Sequence, residues 1–398
     1  MKIAIFSDIF YPELSGISDS VIDSAIELVK LGNSVDFYVP YHPDKNFSIA
    51  NLPVQELDLG ERIKIHRFFS LKYPMPTKQG RVVIPTFLRW IGMRKNRPDI
   101  IHTHFFWGVG LEAAVASKFL HIPLIGTNHT PITEFLKYGP LQNKFIEKCA
   151  KRFVSWYYNH CDFVSAPNHS ILEEMQANGF KKPCGVLSNP IDVRNFFPVS
   201  SEEEKEKIKK EFNLSEFIVL YTGRLATEKH IDVLIRAVAL AKNKIPAIQL
   251  ALTGHGDSEE SLRKLAAELR LENNVKFFGT LPTDKHAAIY RAADVFAIAS
   301  TAEMQSLSMM KAMATGLPVI GVNAWALPEY INENNGFILE PGDYQGIAEK
   351  IVFLYENPEK RKALGNGGWA LAQKFSPSIV TREWQNIYEK VRTDYHKK

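Results

Sequence analysis

FIVLYTGRLATEKHIDVLIRAV, residues 217–238, decides how the rest of the chain is read. Residues 217–221 are an unbroken apolar run, the mark of a strand covered on both faces. Gly223 closes the strand, and a short loop carries Arg224 and Lys229. From Ile231 onward apolar residues recur at helical spacing. A strand, a short loop and a helix in immediate succession open a βαβ unit, whose strands run parallel. Two cations beside a helix N-terminus suit a diphosphate, through charge-assisted hydrogen bonds and the positive end of the helix dipole. A surface arginine and lysine on an ordinary βα loop would be spelled the same way, so the pair alone leaves both readings open.

The alternation continues in both directions. Downstream lie QLALTGHG (249–256), VKFFG (275–279), VFAIAS (295–300), LPVIGVN (317–323) and GFIL (336–339). Upstream lie KIAIF (2–6), SVDFYV (34–39), IKIHRF (63–68), IIHTH (100–104), PLIGTNH (123–129), FVSAP (163–167) and CGVLSN (184–189). Amphipathic stretches separate them; in Asp19–Lys30, Val21, Ile22, Ala25, Ile26 and Val29 fall at helical spacing. Between the two series, NPIDVRNFFPVSSEEEKEKIKKEF (189–212) holds two prolines and then a strongly charged stretch, a linker entering a solvated helix. The fold class is therefore α/β, with two doubly wound, Rossmann-like parallel-sheet domains joined near 190–215. Ligands of such sheets sit at the carboxyl ends of the strands, and here also in a cleft between the domains.

Composition agrees. The 398 residues are 45% hydrophobic and 23% charged, which excludes disorder, collagen-like repeats and a disulfide scaffold. Cys149, Cys161 and Cys184 cannot all pair and show no C-x-x-C spacing, so a reducing compartment fits and a structural zinc site does not. No segment reaches the roughly 18 apolar residues of a spanning helix. Asp8 interrupts the first apolar run, where a signal peptide needs a clean one. A cytoplasmic protein, or one seated on the inner membrane face, is expected. The net charge of +4 lies wholly in residues 1–200, with 22 Lys and Arg against 18 Asp and Glu. No nucleic-acid motif accompanies it, and no nucleic-acid partner is expected.

Three further constellations carry chemistry. In ASTAEMQSLSMMKAMATGLPVIG (299–321) a strand ends at Ser300, Glu303 stands in the loop, and a helix runs from near Ser306 to Gly316. Amides of Gln305, Ser306 and Leu307 would point at an anion there, and Glu303 either accepts sugar hydroxyls or partners the helix cap. In DIIHTHFFWGVG (99–110) and IGTNHTPITEF (125–135), histidines sit at strand C-termini. His102 reads as a satisfied structural histidine and His129 as a ligand contact, and the three histidines lack metal-ligand spacing. In FYPELSGISDSV (10–21), Gly16 precedes a helix opened by Ser18 or Asp19, so backbone could approach a ligand closely.

Together these pieces resemble glycosyltransferase family 4, the retaining family with the GT-B two-domain fold. The G-R-L-x-x-E-K and E-x-Q-S-L…A-M-A-x-G-L-P-V-I segments carry the likeness, which extends to FSPSIVTREWQNIYEKV (375–391). It implies an acceptor-binding domain over 1–195, a nucleotide-sugar domain over 196–374, and a terminal helix, 375–398, crossing back to the first. It also implies that Arg224 and Lys229 bind the donor diphosphate and that Glu303, the first Glu of an E-x7-E motif, holds the transferred sugar. Gln305, Ser306 and Leu307 would contact sugar and distal phosphate, His129 would reach the sugar from the first domain, and Gly16 would lie near the phosphates. The family's frequent second glycine is Ile17 here. The resemblance further implies retention at the anomeric carbon, no metal, and no cofactor beyond the nucleotide-sugar donor, with UDP-glucose as the leading choice.

One position departs. The second Glu of the motif falls on Lys311. A carboxylate there accepts hydrogen bonds from the ribose, whereas an ammonium only donates. Lys311 either holds ribose or phosphate oxygens another way, or weakens donor binding without stopping turnover, or marks an idle chain or an unusual donor.

For the acceptor, residues 71–97 hold Lys72, Lys78, Arg81, Arg89, Arg94, Lys95 and Arg97 with no acid, interleaved with Phe87, Leu88, Trp90 and Ile91. The expectation is a basic amphipathic helix attracted to an anionic membrane surface, with 141–158 as a second such element. Simple packing on the sheet with a solvated basic face is the other reading. The opening loop, TNHTP and E-M-Q-S-L look closest to the family's diacylglycerol glucosyltransferase and phosphatidylinositol mannosyltransferase branch. The expected partner is therefore a lipid acceptor such as diacylglycerol. The alternatives are a soluble or polyprenyl-linked saccharide acceptor, or a catalytically idle nucleotide-sugar-binding relative.

Overall fold

The computed structural model describes every residue except 14, 74–77, 131, 137–142 and 398, and the side chains of 134 and 135. The chain divides into two compact units, residues 1–190 with 377–398, and residues 191–376.

The first unit is built on β1 (Lys2–Phe6), β2 (Ser34–Pro40), β3 (Ile63–Phe68), the two-residue strands β4 (Leu71–Lys72) and β5 (Arg81–Val82), β6 (Ile100–Thr103), β7 (Leu124–Thr127), β8 (Phe163–Ala166) and β9 (Cys184–Val186). Seven of these form one parallel sheet in the order β3-β2-β1-β6-β7-β8-β9, and β4 pairs with β5 in a small antiparallel ribbon. Order reverses between β1 and β6, so the carboxyl ends of those two strands bracket the switch point. The strands are buried on both faces, as in β1 and β6, because helices cover each side.

The first helix, Gly16–Lys30, starts earlier than Ser18 or Asp19 because Ser15 caps it, accepting from the Ile17 N–H at 3.2 Å. The last helix, Pro377–Tyr395, belongs to this unit: Gln385 accepts from Asn33 at 2.8 Å, and Tyr388 bonds His102 Nδ1 at 2.7 Å. Among the described residues, the basic stretch 71–97 is not the amphipathic helix its composition suggested. It forms the ribbon, a turn of helix at Trp90–Met93 and a 3₁₀ turn at Arg94–Asn96. Pro85 and Gly80 break any longer helix. The second basic stretch is helical over Lys144–Tyr158.

The second unit holds β10 (Phe217–Thr222), β11 (Ile248–Thr253), β12 (Val275–Gly279), β13 (Val295–Ala297), β14 (Val319–Val322) and β15 (Gly336–Leu339). They form one parallel sheet in the order β12-β11-β10-β13-β14-β15, reversing between β10 and β13. Its core reaches back to Ile191 and Phe196. This compact unit starts at Ile191, whose N–H donates to Phe375 O at 2.8 Å.

Candidate active site

In the second unit the switch point gathers the loops after β10 and β13. The first loop is shaped by glycine. A Cβ on Gly256 would stand 2.1 Å from Leu225 O, and one on Gly254 would stand 2.1 Å from Gly223 O, so the loop after β11 stacks directly on it. Leu225 and His255 share a backbone hydrogen bond of 3.0 Å there. Lys229 closes a 3₁₀ turn, Thr227–Lys229, and His230 then takes a left-handed φ of 48° before helix Ile231–Ala241.

Three contacts stitch this loop to the one after β13. Lys229 Nζ lies 2.6 Å from Glu303 Oε1, His230 Nε2 lies 3.0 Å from Thr301 Oγ1, and the Thr301 N–H donates to Glu228 O at 3.2 Å. Arg224 pairs with Glu228 at 2.5 Å. Both cations expected to meet a diphosphate are thus held by carboxylates already in place. Glu228 and Thr301 were missed in the sequence; the acid beside the lysine in T-E-K was the available signal.

Ser306 caps helix Leu307–Ala314, its hydroxyl accepting from the Met309 N–H at 3.3 Å. The first-turn amides of Leu307 and Ser308 have no carbonyl a turn earlier within the helix to meet, which makes this end suited to an anion. Gln305, Ser306 and Leu307 therefore sit together beside Glu303. Lys311 is turned elsewhere: its ammonium lies 4.9 Å from the centre of the Phe196 ring. That ring meets His286 and Tyr290 edge-on, at 5.8 and 5.3 Å. His286 Nε2 and Tyr290 Oη both reach Thr222 Oγ1, at 3.0 and 3.1 Å, at the end of β10. Burial, with the Lys311 charge added, pushes His286 down to about 4.

In the first unit, three histidines stack at the ends of β6 and β7. His102 is satisfied at both nitrogens, by Tyr388 Oη at 2.7 Å and Thr127 Oγ1 at 2.8 Å. His104 Nδ1 meets His129 Nε2 at 2.9 Å, and the other nitrogen of His129, Nδ1, is buried without a partner among the described residues. Burial lowers all three, His129 to about 4 and His102 to about 3, so they are neutral at pH 7. Among the described residues no group of three His, Cys, Asp or Glu is placed to hold a metal ion. Gly16 is the first residue of its helix, beside the end of β1. Asp8, also after β1, does more than break an apolar run. It is 6% exposed and accepts the Val109 N–H at 3.1 Å, and burial raises it to about 7.

Comparisons with known proteins agree with this geometry. The sequence model for Glycosyltransferase Family 4 matches residues 14–195, and that for Glycosyl transferases group 1 matches residues 202–369. Alpha-monoglucosyldiacylglycerol synthase of Acholeplasma laidlawii is 23% identical over 98% of this chain and 96% of its own length. The protein of that name from Streptococcus pneumoniae is 25% identical over 90% and 79%. Among solved structures, Anabaena HepE in complex with UDP-glucose covers 98% of this chain and all of its own, with a TM-score of 0.74 at 19% identity, and shares the fold. The chain belongs to the glycosyltransferases that join these two domains, a family 4 first domain and a group 1 second domain, in the GT-B fold.

Proposed function

We propose that this enzyme moves glucose from UDP-glucose to a hydroxyl of diacylglycerol at an anionic membrane surface, with retention at the anomeric carbon. The observation that carries the donor half is the Lys229–Glu303 pair of 2.6 Å at the switch point between β10 and β13. An arriving diphosphate takes Lys229 and Arg224 from Glu303 and Glu228. The freed Glu303 carboxylate then accepts hydroxyls of the transferred sugar, while amides of Gln305, Ser306 and Leu307 face the distal phosphate. The bond from the anomeric carbon to phosphate breaks as the bond to the acceptor oxygen forms on the same face. The acceptor's proton passes to the departing phosphate. Arg224, Lys229 and the helix end supply the charge neutralisation that a metal gives elsewhere. His129, neutral and with Nδ1 unpartnered among the described residues, is suited to a sugar hydroxyl, and Gly16 lets backbone near the phosphates. Lys311 packs on Phe196 and supports the β10 end instead of accepting ribose hydroxyls.

The acceptor half rests on the relatives named as monoglucosyldiacylglycerol synthases and on the surface of the first unit. Helix Lys144–Tyr158 exposes Phe145 and Trp156, 72% and 54%, along the side that carries Lys144, Lys148 and Arg152. That is the make-up of a helix lying in a headgroup layer. No helix of the described residues is long and apolar enough to cross a membrane.

The test is transfer from UDP-glucose into diacylglycerol in anionic vesicles, with product detected by mass and its anomeric linkage by NMR. An α-glucosyl lipid is expected. No product, with UDP binding intact by calorimetry, would overturn the acceptor assignment and keep the donor site. No product and no UDP binding would overturn both.

A further inference from the structure

Within the acid-free stretch 71–97, residues 86–89 gather around the buried carboxylate of Glu112. Glu112, on helix Gly108–Leu120, is 1% exposed. Its Oε1 accepts from the Thr86 N–H, from Thr86 Oγ1 at 3.0 Å and from the Phe87 N–H at 3.0 Å. Arg89 Nε completes the cluster at 3.2 Å, with its guanidinium 3.9 Å over the Phe68 ring. Held this way, Phe87 adopts φ 60°, a left-handed conformation that bulky residues avoid unless surroundings impose it. The next residues are fixed too: Trp90 Nε1 donates to Phe87 O at 3.1 Å and its ring stacks on Phe119 at 4.9 Å.

The outcome is unusual for apolar side chains. Ile84, Phe87, Leu88 and Ile91 stand 55, 49, 62 and 50% exposed within eight residues. A loose loop would fold such side chains inward; a clamped and strained one keeps them out. Arg94, Lys95 and Arg97 are exposed immediately after them. Apolar side chains presented beside cations, with no acid in the segment, match an anionic bilayer in both its layers: hydrocarbon for the first, headgroups for the second.

We propose that loop 84–91 is an apolar wedge, held outward by Glu112, that enters the hydrocarbon of an anionic membrane while Arg94, Lys95 and Arg97 remain at the headgroups. The proposal rests on the lipid-acceptor reading, placing the point at which the enzyme grips its substrate's bilayer. Glu112 acts here as a positioning residue.

The experiment is sedimentation of the full chain with phosphatidylglycerol–phosphatidylcholine vesicles across a salt series, alongside glucolipid formation in the same vesicles. Electrostatic attraction fades with salt and hydrocarbon insertion does not. The wild type is expected to keep a salt-resistant fraction. Phe87→Ser with Leu88→Ser should lower salt-resistant binding by roughly tenfold or more while leaving the salt slope unchanged. Glu112→Gln should reduce the same fraction, with unchanged resistance of residues 1–190 to limited proteolysis as evidence that the first unit is folded. Absence of vesicle binding by the wild type, or unchanged salt-resistant binding in the double variant, would overturn the wedge. Salt-resistant binding without glucolipid would instead overturn the lipid-acceptor reading and leave the wedge standing.

Discussion

Lys229 and Glu303 hold each other at 2.6 Å, both mostly buried, so neither can be removed without stranding the other. On the proposed mechanism, in which Lys229 meets the donor diphosphate and Glu303 the hydroxyls of the transferred sugar, Lys229→Ala and Glu303→Ala should each lower turnover by about 10²-fold or more. Steady-state rates with UDP-glucose check this, and near-normal turnover in either variant would remove that residue from the mechanism. Lys311→Met should raise donor KM with little change in kcat, because it disturbs the Phe196–His286–Tyr290 packing behind Thr222 and not the sugar contacts; Lys311→Arg should restore it. Asp8 gives a test in pH. Its carboxyl is raised from 3.8 to about 7, so the folded state holds this proton more tightly than the unfolded chain does. The stabilisation is complete below 3.8 and disappears as pH rises through 7. Asp8→Asn should therefore flatten that part of the stability curve, read by denaturant melts between pH 5 and 8.

Elements carried most of what could be read in advance. The strands of both sheets stand where continuous apolar runs put them, because parallel strands are buried on both faces and leave an unmistakable signature. The loops Arg224–Lys229 and Glu303–Leu307 were legible because a strand end, a charged side chain and a helix start are all local features. What was not legible depends on distant partners. Composition made 71–97 look helical, whereas Glu112, a turn and a half into another helix, sets its shape. The motif spacing sets Lys311 at the ribose position without showing its neighbour, Phe196 from the start of the second unit, over whose ring its ammonium lies. Helix 307–314 supplies the element-scale prediction. Ser306→Ala should cost about 1 kcal/mol of stability through loss of the cap, measured by chemical unfolding, and weaken UDP-glucose binding by exposing a disordered first turn.

Across the whole molecule the buried histidines are unevenly shared. His42, His102, His104 and His129 of the first unit are all pushed down by burial, against His286 in the second. Each contributes stability present above 6.5 that is lost as pH falls through its folded value, because the unfolded chain binds the proton first. Asp8 works in the opposite sense but is one group against four. The first unit should thus unfold at higher pH than the second in an acid titration, followed by proteolysis of each unit. Early cleavage confined to 191–376 would contradict this.

The last helix, Pro377–Tyr395, completes the unit that residue 2 begins, with Trp384 and Tyr388 packed on His102. In covalent terms the second unit is an insert spliced into the first. Biosynthesis therefore runs against the usual order in which the earlier domain matures first. On the ribosome, residues 191–376 have all their own core before the final helix emerges, while the sheet begun by β1 waits with His102 and the groove beside helix 16–30 uncovered. Nascent chains stalled before residue 377 should show a protease-resistant second unit and a sensitive first one, making the closing helix the step that commits the enzyme to its finished form.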